Sequence, residues 1–150
     1  MSSESNDSIV SLDRANLRKF NFSQVVLPEA DLRRAILSNA NFFEAILART
    51  NLGNANLNQA NLNCANLSEA NLSGAYLSEA NLSDAILFKA NLSGADFFEA
   101  NLSGANLSEA NLSGAVLIRA NLKDAKVTDE QLKQAKSFAG ATMPDGSIHP

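Results

Sequence analysis

Few side chains in this chain of 150 residues have the types and spacing that chemistry demands. There is a single histidine, His149, and a single cysteine, Cys64, far apart in the sequence. Nucleophilic catalysis needs a base within hydrogen-bond reach of the nucleophile, and a thiolate or imidazole metal centre needs several converging ligands. One residue of each kind supplies neither, and a lone cysteine makes no intrachain disulfide. A phosphate-cradling G-x-x-x-x-G-K-[ST] loop does not occur. Carboxylates remain. Glu79 and Glu99 would hold a cation weakly if the chain stacked them, but only on a convex surface without a water-excluding pocket. No catalytic residue, metal site or cofactor is therefore expected, and the chain reads as non-enzymatic.

The element that would have to stack these carboxylates is written in a five-residue period. From Leu12 to Leu122 every fifth residue, 23 in all, is Leu or Phe, the latter being Phe22, Phe42 and Phe97. Two positions earlier, 19 of 23 residues are Ala, the exceptions being Val10, Phe20, Val25 and Thr50. The residue just before the Leu is Asn at 14 of 23 positions and Asp at Asp31 and Asp96. Such a period is about 72° per residue, against about 100° for a helix and about 180° for a strand. Neither element holds both the Leu and the Ala column inward for so long. Asn, Ser and Gly are also poor helix-interior residues, and no heptads suggest a coiled coil. A coil that turns a corner every five residues does satisfy the pattern. Four corners close a square coil, and coils stack at about 4.8 Å. Leu and Ala fill the interior, while Asn bonds to its own backbone in the turns and bridges neighbouring coils.

Runs such as Ala55-Asn56-Leu57-Asn58-Gln59 and Ala65-Asn66-Leu67-Ser68-Glu69 carry the motif A-(D/N)-L-X-X. They resemble the pentapeptide-repeat family, and the C-terminal ending is similar to that of some cyanobacterial members. The resemblance spans residues 10–127. It implies an all-β fold, a right-handed quadrilateral β-helix. Motif residues build the wall, so the resemblance is nearly silent on function. Many members are scaffolds without an assigned activity. Some protect DNA gyrase by imitating duplex DNA, and the resemblance offers that as an alternative reading.

Solenoid ends need covers. Thr128 and Gln131 have the spacing of a capping box, which predicts a short capping helix running to Lys136, with Val127, Leu132 and Ala135 over the last coil. Gly140 and Pro144-Asp145-Gly146 predict a turn and a loose tail. At the other end Phe20, Phe22 and Val25 enlarge the first coil's core, and Pro28 turns or blocks the edge. The expected organisation is a disordered segment over 1–8, the β-helix over 9–127, and the capping helix and tail over 128–150.

Twenty-residue stacking also makes the outer surface legible. Two opposite faces read as nearly unbroken polar ladders, Asn21 to Asn121 and Asp31 to Asn111. The other two carry apolar residues: Val26, Ile46 and Ile86 on one, Ile36, Tyr76 and Val116 on the other. Tyr76, Phe98, Val116 and Ile118 form either a patch for a partner or a second copy, or an ordinary scatter of outer apolar residues. The column Glu29, Arg49, Glu69, Lys89, Glu109 alternates in sign, which predicts a salt-bridge ladder.

Charge is unevenly spread. Residues 9–50 hold six basic and four acidic side chains, residues 51–118 one basic and six acidic. The acidic surface comprises Glu69, Glu79, Asp84, Asp96, Glu99 and Glu109. Duplex DNA carries a charge about every 1.7 Å, far more than this surface does. Nor does the repeat run contain the projecting loops of several gyrase-protecting relatives. Overall the net charge is −4, which gives no general attraction to nucleic acid or to an anionic membrane. No apolar run approaches a membrane span of about 18 residues. The opening residues lack the basic and apolar regions of a signal peptide, so a cytoplasmic setting is expected. The sequence thus predicts a rigid scaffold for an unidentified protein partner, with homodimerisation as one form and no membrane or direct nucleic-acid binding.

Overall fold

In the computed structural model, which describes residues 8–150, the chain winds into a right-handed quadrilateral β-helix. Each side contributes one residue to parallel pairing with the coil above, from Ser11 with Asp31 through to Asn106 with Lys126, always twenty residues on. Corners are tight turns closed by bonds such as Ala15 N–H to Leu12 C=O at 3.0 Å and Ala55 N–H to Leu52 C=O at 3.0 Å. The third residue of every turn, from Arg14 to Asp124, has a positive φ of 54–70°, while the residue before it does not. That combination is a type II turn. Of these 23 corner residues, 19 are not glycine.

The repeat is explained by where its five backbone N–H groups go. One closes the corner turn. The N–H of the Asn position donates to the coil below, as Asn51 to Ala30 C=O at 2.9 Å. Those of the Leu position and the corner residue donate to the coil above, as Leu52 to Asn71 C=O at 2.7 Å and Asn54 to Ser73 C=O at 2.9 Å. The fifth, just after the Leu, has no backbone acceptor. It donates instead to the side chain two residues earlier, as Ser73 N–H to Asn71 Oδ1 and Ser93 N–H to Asn91 Oδ1. All 16 Asn and Asp residues of that column accept in this way. Asn is therefore in the motif because it satisfies the one donor that the coil leaves over. Some of the same side chains also bridge coils, as Asn71 Nδ2 to Asn51 Oδ1 at 3.2 Å.

Inside, the inward Leu and Ala columns from Ala30 to Leu122 are fully or almost fully buried, with Phe42 and Phe97 among them. Thr50 replaces Ala and is also buried, its hydroxyl donating to Leu27 C=O at 2.8 Å.

At the C-terminus the capping box forms. Thr128 caps α1 (Asp129–Gln134), with its side chain accepting from Gln131 N–H and the Gln131 side chain accepting from Thr128 N–H. The helix stops two residues short of Lys136. Leu132 is buried twenty residues after Leu112 and continues its column, while Val127 and Ala135 pack against the core. Beyond it the chain departs from the loose tail expected. Ser137 pairs with Val116 and Thr142 with Asn121, now 21 residues on, so two further sides of the solenoid follow the helix. Lys136 and Ser137 both bond to the Val116 side (Lys136 N–H to Ala115 C=O, 2.8 Å; Leu117 N–H to Ser137 C=O, 2.7 Å), which absorbs the extra residue. Phe138 and Met143 enter the core positions. The chain then reverses at Pro144-Asp145-Gly146, and Ile148 pairs antiparallel with Thr142. His149 lies over Phe138 with ring centroids 4.3 Å apart.

The expected disordered segment falls, apart from Ser8, outside the described residues. In the described part of the first coil the core is open. Leu12, Leu17, Phe22, Val25 and Leu27 are only partly buried. Phe20 is 52% exposed, although it stands in the column of the buried Ala40 and Ala60.

Candidate functional site

The backbone fixes which side chains face outward: those before and after each Leu, and those at the corners. Each is set by a corner turn and by bonds to the coils above and below, so the wall is ordered before anything binds to it.

On the side that carries Tyr76, the column before the Leu runs Ile36, Asn56, Tyr76, Asp96, Val116 by successive pairing. The column after the Leu stacks Ser78, Phe98 and Ile118, as shown by Glu79 N–H to Phe98 C=O and Glu99 N–H to Ile118 C=O. Phe98, Val116 and Ile118 therefore meet on adjacent coils, each half-buried. Tyr76 is 53% exposed and is separated from Val116 by Asp96. Tyrosine supplies no side-chain acceptor for the N–H two residues on, and Asn58 of the coil below replaces it, accepting from Ser78 N–H at 2.9 Å. The opposite side exposes Val26, Ile46 and Ile86. On that side Phe88 lies under the Lys89 ammonium, 5.3 Å from the ring centre.

The acidic residues do not gather into one strip. Glu69 and Glu109 share one corner, Glu79 and Glu99 another, and Asp84 a third, with Asp96 on the Tyr76 side. Two of the six are paired: Glu99 with Arg119 at 3.0 Å and Glu109 with Lys89 at 3.7 Å. Glu79 accepts weakly from Gln59 at 3.5 Å. The alternating column is a correction to the ladder expected from sequence. Arg49 turns to Glu29 at 2.9 Å and Lys89 to Glu109, so Glu69 has no ion-pair partner among the described residues. Each cation on a flexible, exposed stem serves one neighbour, and two separate pairs result.

Basic residues crowd the first two coils, where two are held by carboxylates: Arg34 by Asp13 at 2.7 Å and Arg33 by Asp31 at 2.8 Å. The bidentate bond from Arg33 holds the Asp31 carboxyl down to about 2, and the Arg33 guanidinium is correspondingly raised. Asp145 is also lowered, chiefly by the Ser147 hydroxyl.

Cys64 is an exposed corner residue with φ 58°. Glu44 and Asp84 share its corner. No group of three or more His, Cys, Asp or Glu side chains could hold a metal ion among the described residues. Shallow depressions occur where the cap meets the wall, one lined by Ser108, Glu109, Lys126, Val127, Thr128 and Gln131, another by Val127, Met143 and Asp145 among others. No described helix is long and apolar enough to cross a membrane.

Sequence reasoning missed the open first coil and the re-entry of Phe138 and Met143. The second was signalled: those residues are five apart, and Gly140 holds the corner position between them with φ 70°.

The family model for pentapeptide repeats matches residues 10–129 in overlapping segments, 8 copies in all. No curated protein matches the chain. Among solved structures, Rfr23, a pentapeptide repeat protein from the cyanobacterium Cyanothece 51142, is 35% identical, covering 71% of this chain and 83% of its own, with a TM-score of 0.56. HetL, a pentapeptide repeat protein involved in heterocyst differentiation regulation in the cyanobacterium Nostoc sp. strain PCC 7120, is 35% identical over 93% of this chain and 87% of its own, TM-score 0.49. A trypsin-treated variant of QnrB1, a plasmid-mediated fluoroquinolone resistance protein, is 18% identical over 90% of this chain and 82% of its own, TM-score 0.56, a likeness of fold alone.

Proposed function

The chain belongs to the pentapeptide-repeat family, and from that premise we propose that it is a non-enzymatic, rigid scaffold that binds a protein partner through its outer wall. The observation that carries this reading is the pre-ordering of the wall: from Asp31 to Asn101, every repeat with Asn or Asp before its Leu places all five N–H groups, so outer side chains are presented without a folding cost at binding. The apolar group Phe98, Val116 and Ile118, with Tyr76 beside it, is the contact surface of choice, and a second copy is one form of partner. The exposed thiol of Cys64 suits a reducing, cytoplasmic setting.

Affinity capture with the intact chain tests this. A partner identified with wild type should be lost with Tyr76→Asp combined with Ile118→Asp, at unchanged circular dichroism. Equal retention by this variant would move the contact elsewhere, and no specific partner from any relevant lysate would remove the reading.

Imitation of duplex DNA toward gyrase receives no support from the geometry. The six carboxylates are divided among several corners and sides, and two are neutralised by cations. Gyrase supercoiling, with and without a quinolone, is accordingly expected to be unaffected at micromolar concentrations of the protein. Inhibition or protection would reverse this and direct mutagenesis to Glu69, Glu79 and Glu99.

A further inference from the structure

The two ends of the solenoid are treated unequally. The last coil is covered by α1, by the re-entrant sides and by the closing hairpin. The first coil has no such cover among the described residues. Ile9, Val10, Phe20 and Val26 are exposed there. Phe20 stacks on Phe22 at 5.7 Å, and Phe22 on the buried Phe42 at 5.0 Å, so the open end is the exposed terminus of the core itself. Its backbone edge is equally open. One coil up, Ile36, Asn41 and Ile46 donate their N–H groups downward at 2.8–2.9 Å. The corresponding N–H groups of Asn16, Asn21 and Val26 have no acceptor among the described residues. An apolar centre within an unpaired β-edge is an aggregation hazard unless something covers it.

What would cover it is indicated by charge. Arg14, Arg18 and Lys19 sit on the corners and outer positions of this coil and are exposed. None of the three is in an ion pair among the described residues, whereas Asp13 is already held by Arg34. A second copy meeting this end head to head would set like charges against one another. Residues 1–7 read MSSESND, with Met1 the sole apolar side chain among them.

We propose that the first coil docks another protein through a sheet or coil edge whose centre is apolar and whose rim carries carboxylates. The edge would extend the β-helix by one layer: its carbonyls accept from Asn16, Asn21 and Val26, its apolar residues cover Phe20, and its carboxylates meet Arg14, Arg18 and Lys19. This rests on the scaffold reading and gives that scaffold a second, end-on surface apart from the Tyr76 wall.

The test uses the full chain and two synthetic peptides, one alternating Val and Glu, the other Val and Lys, read by amide hydrogen exchange at Asn16, Asn21 and Val26. The Val/Glu peptide should slow these amides about tenfold or more at saturation, and the Val/Lys peptide should not; the effect should weaken in about 0.5 M salt. Phe20→Glu should abolish it, and so should Arg18→Glu with Lys19→Glu, exposed changes that leave the core intact. Equal protection by both peptides, or by neither up to their solubility, overturns the proposal. So does a concentration-dependent dimer lost in Phe20→Glu, which would make a second copy the occupant. Faster exchange at the three amides on deleting residues 1–7 would make that segment the cover instead. If end-on docking fails while partner capture still depends on Tyr76 and Ile118, the scaffold reading stands alone; if neither surface matters, both readings fall.

Discussion

At the scale of the residue, the fold depends on a polar side chain as well as on the apolar core. Asn71 accepts from Ser73 N–H at 3.0 Å and donates to Asn51 at 3.2 Å. Asn71→Ala should lower stability by about 1–2 kcal/mol in urea unfolding, a lost hydrogen bond with a half-buried N–H left behind. Glu69→Ala, at an unpaired corner, should be close to neutral. The corners suggest the opposite kind of change. Cys64 holds a left-handed φ of 58°, which a side chain disfavours and glycine does not. Cys64→Gly should therefore raise stability by up to about 1 kcal/mol, whereas Cys64→Val should lower it. A pH effect belongs at this scale too. Asp31 is held at about 2 in the fold, against 3.8 for the free group. A depressed carboxyl contributes stability that is fully present above the unfolded value and is lost as pH falls through the folded one. Wild type should thus lose stability relative to Asp31→Asn between about pH 4 and 2, and parallel acid-unfolding curves would count against the Arg33 bond. The role of Asn was legible in the sequence because its local bonding is chemical. The left-handed corner was not: Arg, Lys, Gln, Glu, Asn, Cys and Asp all occupy it, and only glycines such as Gly74 and Gly94 hint at the backbone beneath.

At the scale of the element, the cap depends on one glutamine. Besides closing the capping box, Gln131 Nε2 donates to Leu107 C=O at 2.7 Å and Ala110 C=O at 2.9 Å. It thereby fastens α1 to the upper edge of the last full coil. Gln131→Glu preserves the side chain's reach but removes both donors and sets a charge against two carbonyls. It should cost about 2–3 kcal/mol, more than the roughly 1 kcal/mol of Thr128→Ala, in thermal or urea unfolding. A smaller loss for the glutamate would mean the helix is held by Leu132 alone. The capping box was readable because it spans four neighbouring residues. The re-entry after it was signalled only locally, because the one-residue shift at Lys136–Ser137 breaks the twenty-residue count. Phe138 and Met143 keep the five-residue spacing, but only relative to each other.

At the scale of the molecule, long-range order follows from nearest neighbours: each coil touches only the coils beside it. Core, register and polar ladders could be read from the sequence because twenty-residue stacking turns spacing into position. Ion pairs could not, since exposed Arg49 and Lys89 each choose between two carboxylates, and the open first coil could not, since a repeat pattern says nothing of what lies beyond its end. The same neighbour rule predicts a gradient of stability, with the first coil opening locally and the interior coils opening only when the whole rod does. The scaffold reading requires that rigidity, because a wall that melts locally would have to be ordered by its partner at each binding event. Site-resolved amide hydrogen exchange on the free chain tests this most directly. The account predicts that the amides of Leu57, Leu77 and Leu87 exchange only through global unfolding, while those of Leu12 and Leu17 exchange faster through fraying. Rapid exchange at Leu57, Leu77 and Leu87 without global unfolding would contradict it.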